Sequence, residues 1–121
     1  MAKHLHKGDE RRRRWKIIDA SRAGDPSVLP QLLARLDGGE TSENRRHIVR
    51  ALGNIGGPQA EARLLELLAS ERGPILGEVA QAIGKLGLRR ASSMLRGLRD
   101  HESEWVRQNV GFALKQLAIR A

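Results

Sequence analysis

The side chains best suited to binding a charged ligand are basic and lie near the N-terminus. A run of four arginines is followed by an aromatic and a lysine: Arg11, Arg12, Arg13, Arg14, Trp15 and Lys16. Residues 1 to 16 carry a net charge of +5, out of +8 for the whole chain. Cations beside a ring on which a base could stack predict an anion-binding arm. The alternative is that the run simply opens a helix and that Trp15 packs on the rest of the protein.

A second basic segment lies further along the chain, between residues 89 and 99. Three of its arginines share one face at helical spacing, namely Arg89, Arg96 and Arg99. We predict that this face binds an anion, either nucleic acid or an acidic protein. The alternative is an ordinary solvated surface.

No combination of residues points to catalysis. The four histidines, His4, His6, His47 and His101, are scattered, and the chain has no cysteine. No glycine-rich phosphate loop and no nucleophile beside a histidine and an acid occurs. We therefore predict a protein that is not an enzyme and holds neither cofactor nor metal. Because no apolar run is long enough for a membrane span, we expect a soluble, cytoplasmic protein without a membrane partner.

One sequence pattern returns three times at a fixed distance. The stretch IVRALGNIGGPQA begins at Ile48, VAQAIGKLGLRRA begins 31 residues later at Val79, and VGFALKQLAIRA begins 31 residues after that at Val110. Ala51, Ala82 and Ala113 occupy the same place in the three copies. A fixed period of this length indicates stacked repeats that bury their apolar faces against one another.

The breaks between apolar stripes give the predicted architecture. Glycine, proline and short polar segments fall near residues 24–26, 37–42, 56–58, 70–74, 87–88 and 100–103. They delimit seven helices, which predict an all-α, right-handed α-solenoid of about 3.5 helix pairs. Residues 1–9 are expected to form a flexible basic tail and residues 10–121 a single repeat domain.

Two glycines lie inside predicted helices at equivalent places. Gly53 and Gly84 are 31 residues apart, and each costs about 1 kcal/mol of helix stability relative to alanine. We therefore assign them a structural role, at points where the paired helix comes too close for a side chain.

The repeat resembles the HEAT-like repeats typified by phycobilisome lyases. The motif is matched over about residues 26–121, and the residues that carry the resemblance in the last copy are Asp100, Val106, Arg107, Ala113 and Leu114. An earlier copy carries Arg45, Ala51, Leu52, Gly53, Ile55 and Gly56. The resemblance implies that Arg45 and Arg107 are structural and tie helix starts to the preceding loops. It also implies that the second helix of each unit, here the arginine-rich one, lines the concave side.

Such repeats serve as adaptors, as DNA glycosylase scaffolds and as lyases, so the resemblance fixes the fold more than the function. Our first interpretation is a non-catalytic scaffold for protein–protein interaction. The second is a nucleic-acid-binding accessory protein that uses the arm and the arginine-rich helix. A phycobilin-lyase-like protein is a remote third, since the chain has no tyrosine to stack on a tetrapyrrole.

The last predicted helix has a second apolar stripe besides its core stripe. Trp105, Phe112 and Ile119 recur every seven residues and so share one line along the helix. We predict that this stripe, at the open end of the array, is a protein interface for a homodimer or a larger partner. The alternative is that the three side chains fold over the neighbouring loop as a cap.

Overall fold

The structure is a computed structural model that describes residues 7–119, except for the side chains at positions 7, 10, 13, 20 and 21. This part of the chain contains seven α-helices and no strand, which confirms the predicted all-α class. The helices are α1 (Lys7–Ala23), α2 (Leu29–Asp37), α3 (Ser42–Ile55), α4 (Gly57–Ser70), α5 (Ile75–Leu86), α6 (Ser92–Arg96) and α7 (Glu104–Ile119). Short 3₁₀ turns, Pro26–Val28 and Arg89–Ala91, precede α2 and α6.

Local chemistry sets the helix ends. The Thr41 hydroxyl accepts a hydrogen bond from the backbone N–H of Asn44, 3.2 Å away, at the start of α3. Gly56 and Gly87 end α3 and α5 with φ angles of 68° and 70°, a region that glycine enters without steric cost. The periodic glycines therefore turn the chain between successive helices.

Two predicted boundaries are wrong. Helix α1 begins at Lys7 rather than at Glu10, so the last three residues of the predicted tail are helical, and residues 1–6 lie outside the described part. The predicted helix from Arg89 to about Arg99 is a 3₁₀ turn, the five-residue α6 and turns from Gly97 to Asp100. The α-helix stops at Gly97, a residue that costs about 1 kcal/mol of helix stability relative to alanine.

The helices form two layers. Each odd-numbered helix packs along its length on the next odd-numbered one, whereas α2, α4 and α6 barely meet one another. The closely spaced layer of a curved stack is its inner side, so α1, α3, α5 and α7 form the inner layer. The core lies between the layers and repeats with the sequence, since Ile48, Val79 and Val110 are all fully buried.

The inner helices touch through small residues. A Cβ atom added to Gly53 would lie 2.8 Å from the Cβ of Ala82, and one added to Gly84 would lie 2.8 Å from the Cα of Ala113. Both distances are too short for non-bonded carbon atoms. The close neighbour in each case is the equivalent helix of the next unit, not the paired helix that the sequence suggested.

This close approach predicts opposite effects for two glycine-to-alanine substitutions. Gly84→Ala should lower the free energy of unfolding by about 1–3 kcal/mol, because the new methyl group meets the backbone of α7 and cannot rotate away. Gly111→Ala, in α7 with nothing within 4 Å, should raise it by up to about 1 kcal/mol. Urea denaturation of both variants measures the difference, and a stabilised Gly84→Ala would contradict the packing.

Candidate functional site

A groove with a volume of about 570 Å³ crosses the inner layer. Helices α3, α5 and α7 form it, and its lining is mainly polar or aromatic: Arg50, Gly53, Asn54, Glu78, Gln81, Ala82, Lys85, Trp105, Phe112 and Gln116. We call this surface the inner groove.

The repeat period arranges the lining in rows that cross the three helices. Arg50, Gln81 and Phe112 are 31 residues apart and occupy one position in α3, α5 and α7. A second row of Asn54, Lys85 and Gln116 lies four residues further along each helix, one helical turn away. The core residues are nearly identical between copies, but these groove residues differ. The core residues therefore repeat from unit to unit, whereas the side chains that line the groove change from one helix to the next.

A buried carboxylate lies beneath one end of the inner groove. The side chain of Glu78 in α5 is fully buried, and its Oε1 accepts hydrogen bonds from Arg46 Nε at 2.8 Å and Arg46 Nη2 at 2.6 Å. Its Oε2 accepts one from Trp105 Nε1 at 3.2 Å. Arg50 Nη2 lies 3.8 Å from Oε1. Because buried charges must be paired, this Glu78 cluster joins α3, α5 and α7 in a single network.

Trp105 owes its position to a glycine. A Cβ atom on Gly77 would lie 2.1 Å from Trp105 Nε1, so only glycine allows the indole to lie against α5. The guanidinium carbon of Arg46 is 6.0 Å from the centroid of the indole, within the range of a cation–π interaction. Trp105 is therefore held in place by α3 and α5, and 38% of it stays exposed.

The predicted apolar stripe divides along α7. Trp105 and Phe112 line the inner groove, and Phe112 is 45% exposed there. Ile119 is 77% exposed and does not line the groove. The aromatic part of the stripe thus lies on the inner layer and not at the open end of the array. The side of α7 away from both α5 and α6 instead carries Gln108, Gly111 and Lys115.

The basic arm forms part of α1. The guanidinium of Arg12 binds Asp9, and Arg14 Nη2 lies 3.0 Å from Glu43 Oε2 in α3. Arg11 and Lys16 are exposed, and the side chain of Arg13 lies outside the described part. Trp15 is 53% exposed.

The second basic segment lies away from the groove. Arg89, Arg96 and Arg99 are exposed, and no carboxylate of the described residues pairs with them. They belong to the outer layer around α6, so the expectation that they line the concave side is wrong. The helices pair as α2 with α3, α4 with α5 and α6 with α7. The first helix of each pair lies in the outer layer, and the second lies in the inner layer.

The two arginines assigned a structural role make different contacts. Arg107 Nη1 donates to the backbone oxygens of His101 at 2.6 Å and Glu102 at 3.1 Å, in the loop before α7. Arg45 instead forms two 3.2 Å hydrogen bonds with the carboxylate of Glu71, at the end of α4. Arg45 therefore contacts the end of α4, in the next unit, rather than the loop before α3.

Two ionisable groups outside the groove have shifted pKa values. Burial lowers the pKa of His47, and the positive charge of Arg50 lowers it further, whereas Glu43 opposes the shift. The backbone N–H of Ser27 lowers the pKa of Asp25, which caps the 3₁₀ turn before α2. Across residues 7–119, no three histidine or acidic side chains converge in a way that could bind a metal ion. No helix in the same range has the length and apolar character to cross a membrane.

Sequence reasoning missed the ion pair between Arg46, whose side chain is 45% exposed, and the buried Glu78. A signal for Glu78 was present, because it is the one charged residue in the otherwise apolar stretch 75–80. His47 and Asn109 occupy the same place in the other two copies and are also polar. Glu78 and Asn109 are both buried. Of these three residues, Glu78 joins the inner helices by hydrogen bonds, whereas Asn109 donates to the backbone oxygen of Trp105 in its own helix.

Stacked helix pairs with a tightly packed inner layer define an α-solenoid. The sequence profile of one family, described as HEAT repeats, matches residues 29–115, from the start of α2 into α7. The chain belongs to this family, which confirms the HEAT-like resemblance. HEAT repeats commonly act as protein-interaction scaffolds and are typically not enzymes. No curated protein and no solved structure matches the chain.

The Glu78 cluster predicts a large stability difference between two glutamates. Glu78→Gln keeps the side-chain volume but removes the charge that Arg46 and Trp105 bind, and should lower the free energy of unfolding by about 1–3 kcal/mol. Glu66→Gln is the control. Its carboxylate is 73% exposed and 3.6 Å from Arg63, so the change should stay within about 0.5 kcal/mol. Equal losses in thermal or urea denaturation would refute the structural role of Glu78.

Proposed function

We propose that this protein is a non-catalytic scaffold that binds a partner protein in the inner groove. The observation that carries the proposal is the exposed face of Phe112, set among cationic and amide side chains on a rigid helical layer. Aromatic residues and arginine are the types enriched at protein interfaces.

The packing around the groove supports this function. Its floor consists of helices in close contact at Gly53 and Gly84, and the Glu78 cluster fixes the helices relative to one another. A surface held in this way loses little conformational entropy when a partner binds. The apolar surface that the groove offers a partner is mainly that of Phe112, which is 45% exposed.

Partner capture tests the proposal. Tagged wild type and the Phe112→Ser variant are used to isolate proteins from nuclease-treated extract of the source cells, and the captured proteins are quantified by mass spectrometry. We expect a specific partner to fall by roughly tenfold with Phe112→Ser, since losing a central aromatic contact costs at least about 1.4 kcal/mol. Lys115→Ser, an exposed change on the free side of α7, is the matched control and should retain the partner. A partner set that Phe112→Ser leaves unchanged would contradict the proposal.

The charge of the chain favours a different protein over a second copy as the partner. Two inner grooves facing each other would place Arg50 and Lys85 against like charges, on chains that each carry +8. We expect light scattering to give the monomer mass of 13.4 kDa at all accessible protein concentrations. A doubled mass that Phe112→Glu returns to the monomer value would instead show a homodimer through this stripe.

A further inference from the structure

The inner groove has an excess of positive charge that the protein itself does not neutralise. Two cations, Arg50 and Lys85, line the groove, and among the described residues the one carboxylate in its lining is that of Glu78. Arg46 donates two hydrogen bonds to Oε1 of that carboxylate, from Nε and Nη2, whereas Arg50 Nη2 stays 3.8 Å away from it with the Arg50 side chain 49% exposed. Lys85 bonds a neutral amide, that of Asn54. The charge of Arg50 and that of Lys85 are therefore available to a ligand carboxylate.

Two amide side chains line the groove beside the cations and the aromatic ring, Gln81 on α5 and Gln116 on α7. Gln81 stands in the row of Arg50 and Phe112, and Gln116 stands in the row of Lys85. Neither makes a hydrogen bond with another described residue. An amide donates through its NH₂ and accepts through its oxygen, which is what an extended peptide backbone requires from a partner.

The repeat geometry sets the spacing between the charged end and the apolar end. Arg50 and Phe112 occupy the same position on α3 and α7, with α5 between them. Packed helix axes lie about 8–10 Å apart, so the two positions are separated by roughly 16–20 Å. An extended chain advances about 3.3 Å per residue, and this distance therefore corresponds to about five or six residues.

We propose that the inner groove binds an extended acidic segment of the partner protein. A carboxylate of the segment binds Arg50 and Lys85, the backbone bonds Gln81 and Gln116, and an apolar side chain about five or six residues away packs on Phe112. This inference rests on the proposed function and adds the chemistry of the partner. Charge complementarity selects the occupant, because a second copy of this chain is itself strongly basic.

Peptide selection on the full-length protein tests the proposal. Random twelve-residue peptides displayed on phage are selected against immobilised wild type, and the dissociation constants of the enriched peptides are measured by fluorescence anisotropy. We expect enriched peptides to carry Asp or Glu and an apolar residue about five or six positions away. Binding should weaken as salt rises, because the carboxylate contacts are exposed.

Variants locate the binding. Arg50→Glu and Lys85→Glu should each weaken the best peptide by at least about tenfold, and Phe112→Ser should do the same. Lys85 lies outside the Glu78 cluster, so Lys85→Glu tests the contribution of positive charge to peptide binding even where Arg50→Glu disturbs folding. Arg96→Glu, an exposed change on the outer layer, is the matched control and should leave affinity within about twofold.

The outcomes separate this inference from the proposed function. Neutral or basic peptides that are lost with Phe112→Ser would overturn the acidic segment and leave the groove as a binding surface. Acidic peptides that are lost with Arg96→Glu but kept by Arg50→Glu and Lys85→Glu would place the anion site on the outer layer and overturn the inference. No enrichment above a bare-support control would also overturn the inference. The scaffold function is tested separately, by the partner-capture experiment.

Discussion

The contact between successive inner helices at glycine and alanine is the constraint on which the rest of the structure depends. Gly53 meets Ala82, and Gly84 meets Ala113, at distances that leave no room for a side chain on the glycine. The inner helices are therefore closer together than the outer ones, and the stack curves toward them. Because a helix interior loses about 1 kcal/mol for each glycine, the packing gained by close approach has to exceed that cost in both copies.

Close approach also explains how a carboxylate can be buried. Glu78 on α5 reaches Arg46 on α3 and Trp105 on α7 at hydrogen-bonding distance because the three helices are adjacent at their glycine contacts. Gly77 removes the side chain that would otherwise hold the indole away. A buried charge is costly unless fully bonded, so this cluster favours one alignment of the three helices over any shifted one. The same cluster leaves Arg50 only weakly engaged at the surface of the groove.

The sequence predicted the elements better than their arrangement. A 31-residue period with recurrent Ala51, Ala82 and Ala113 suffices for helix number, core columns and family, because burial of identical columns is a local, periodic property. The layer that faces inward is set by contacts between units, and the period of the sequence gives no information about those contacts. The arginines near α6 were therefore predicted on the concave side, although they lie on the outer layer. The stripe of Trp105 and Phe112 was identified correctly as non-core. Its position in the groove could not be derived, because it depends on Gly77 in another helix.

Charge placement bears on the nucleic-acid alternative. Binding that is dominated by phosphate requires several cations along one continuous surface, since each contact contributes a small, salt-sensitive increment. The arm belongs to α1 of the inner layer in the first unit, and the second arginine segment surrounds α6 of the outer layer in the last. Two of the arm's guanidiniums, those of Arg12 and Arg14, already pair with carboxylates of this chain. The two basic segments therefore do not share one layer. Within the inner layer, the arm presents Trp15 and the groove presents Phe112, and the groove adds the amides of Gln81 and Gln116. That combination matches a peptide with a few carboxylates better than a uniform polyphosphate backbone.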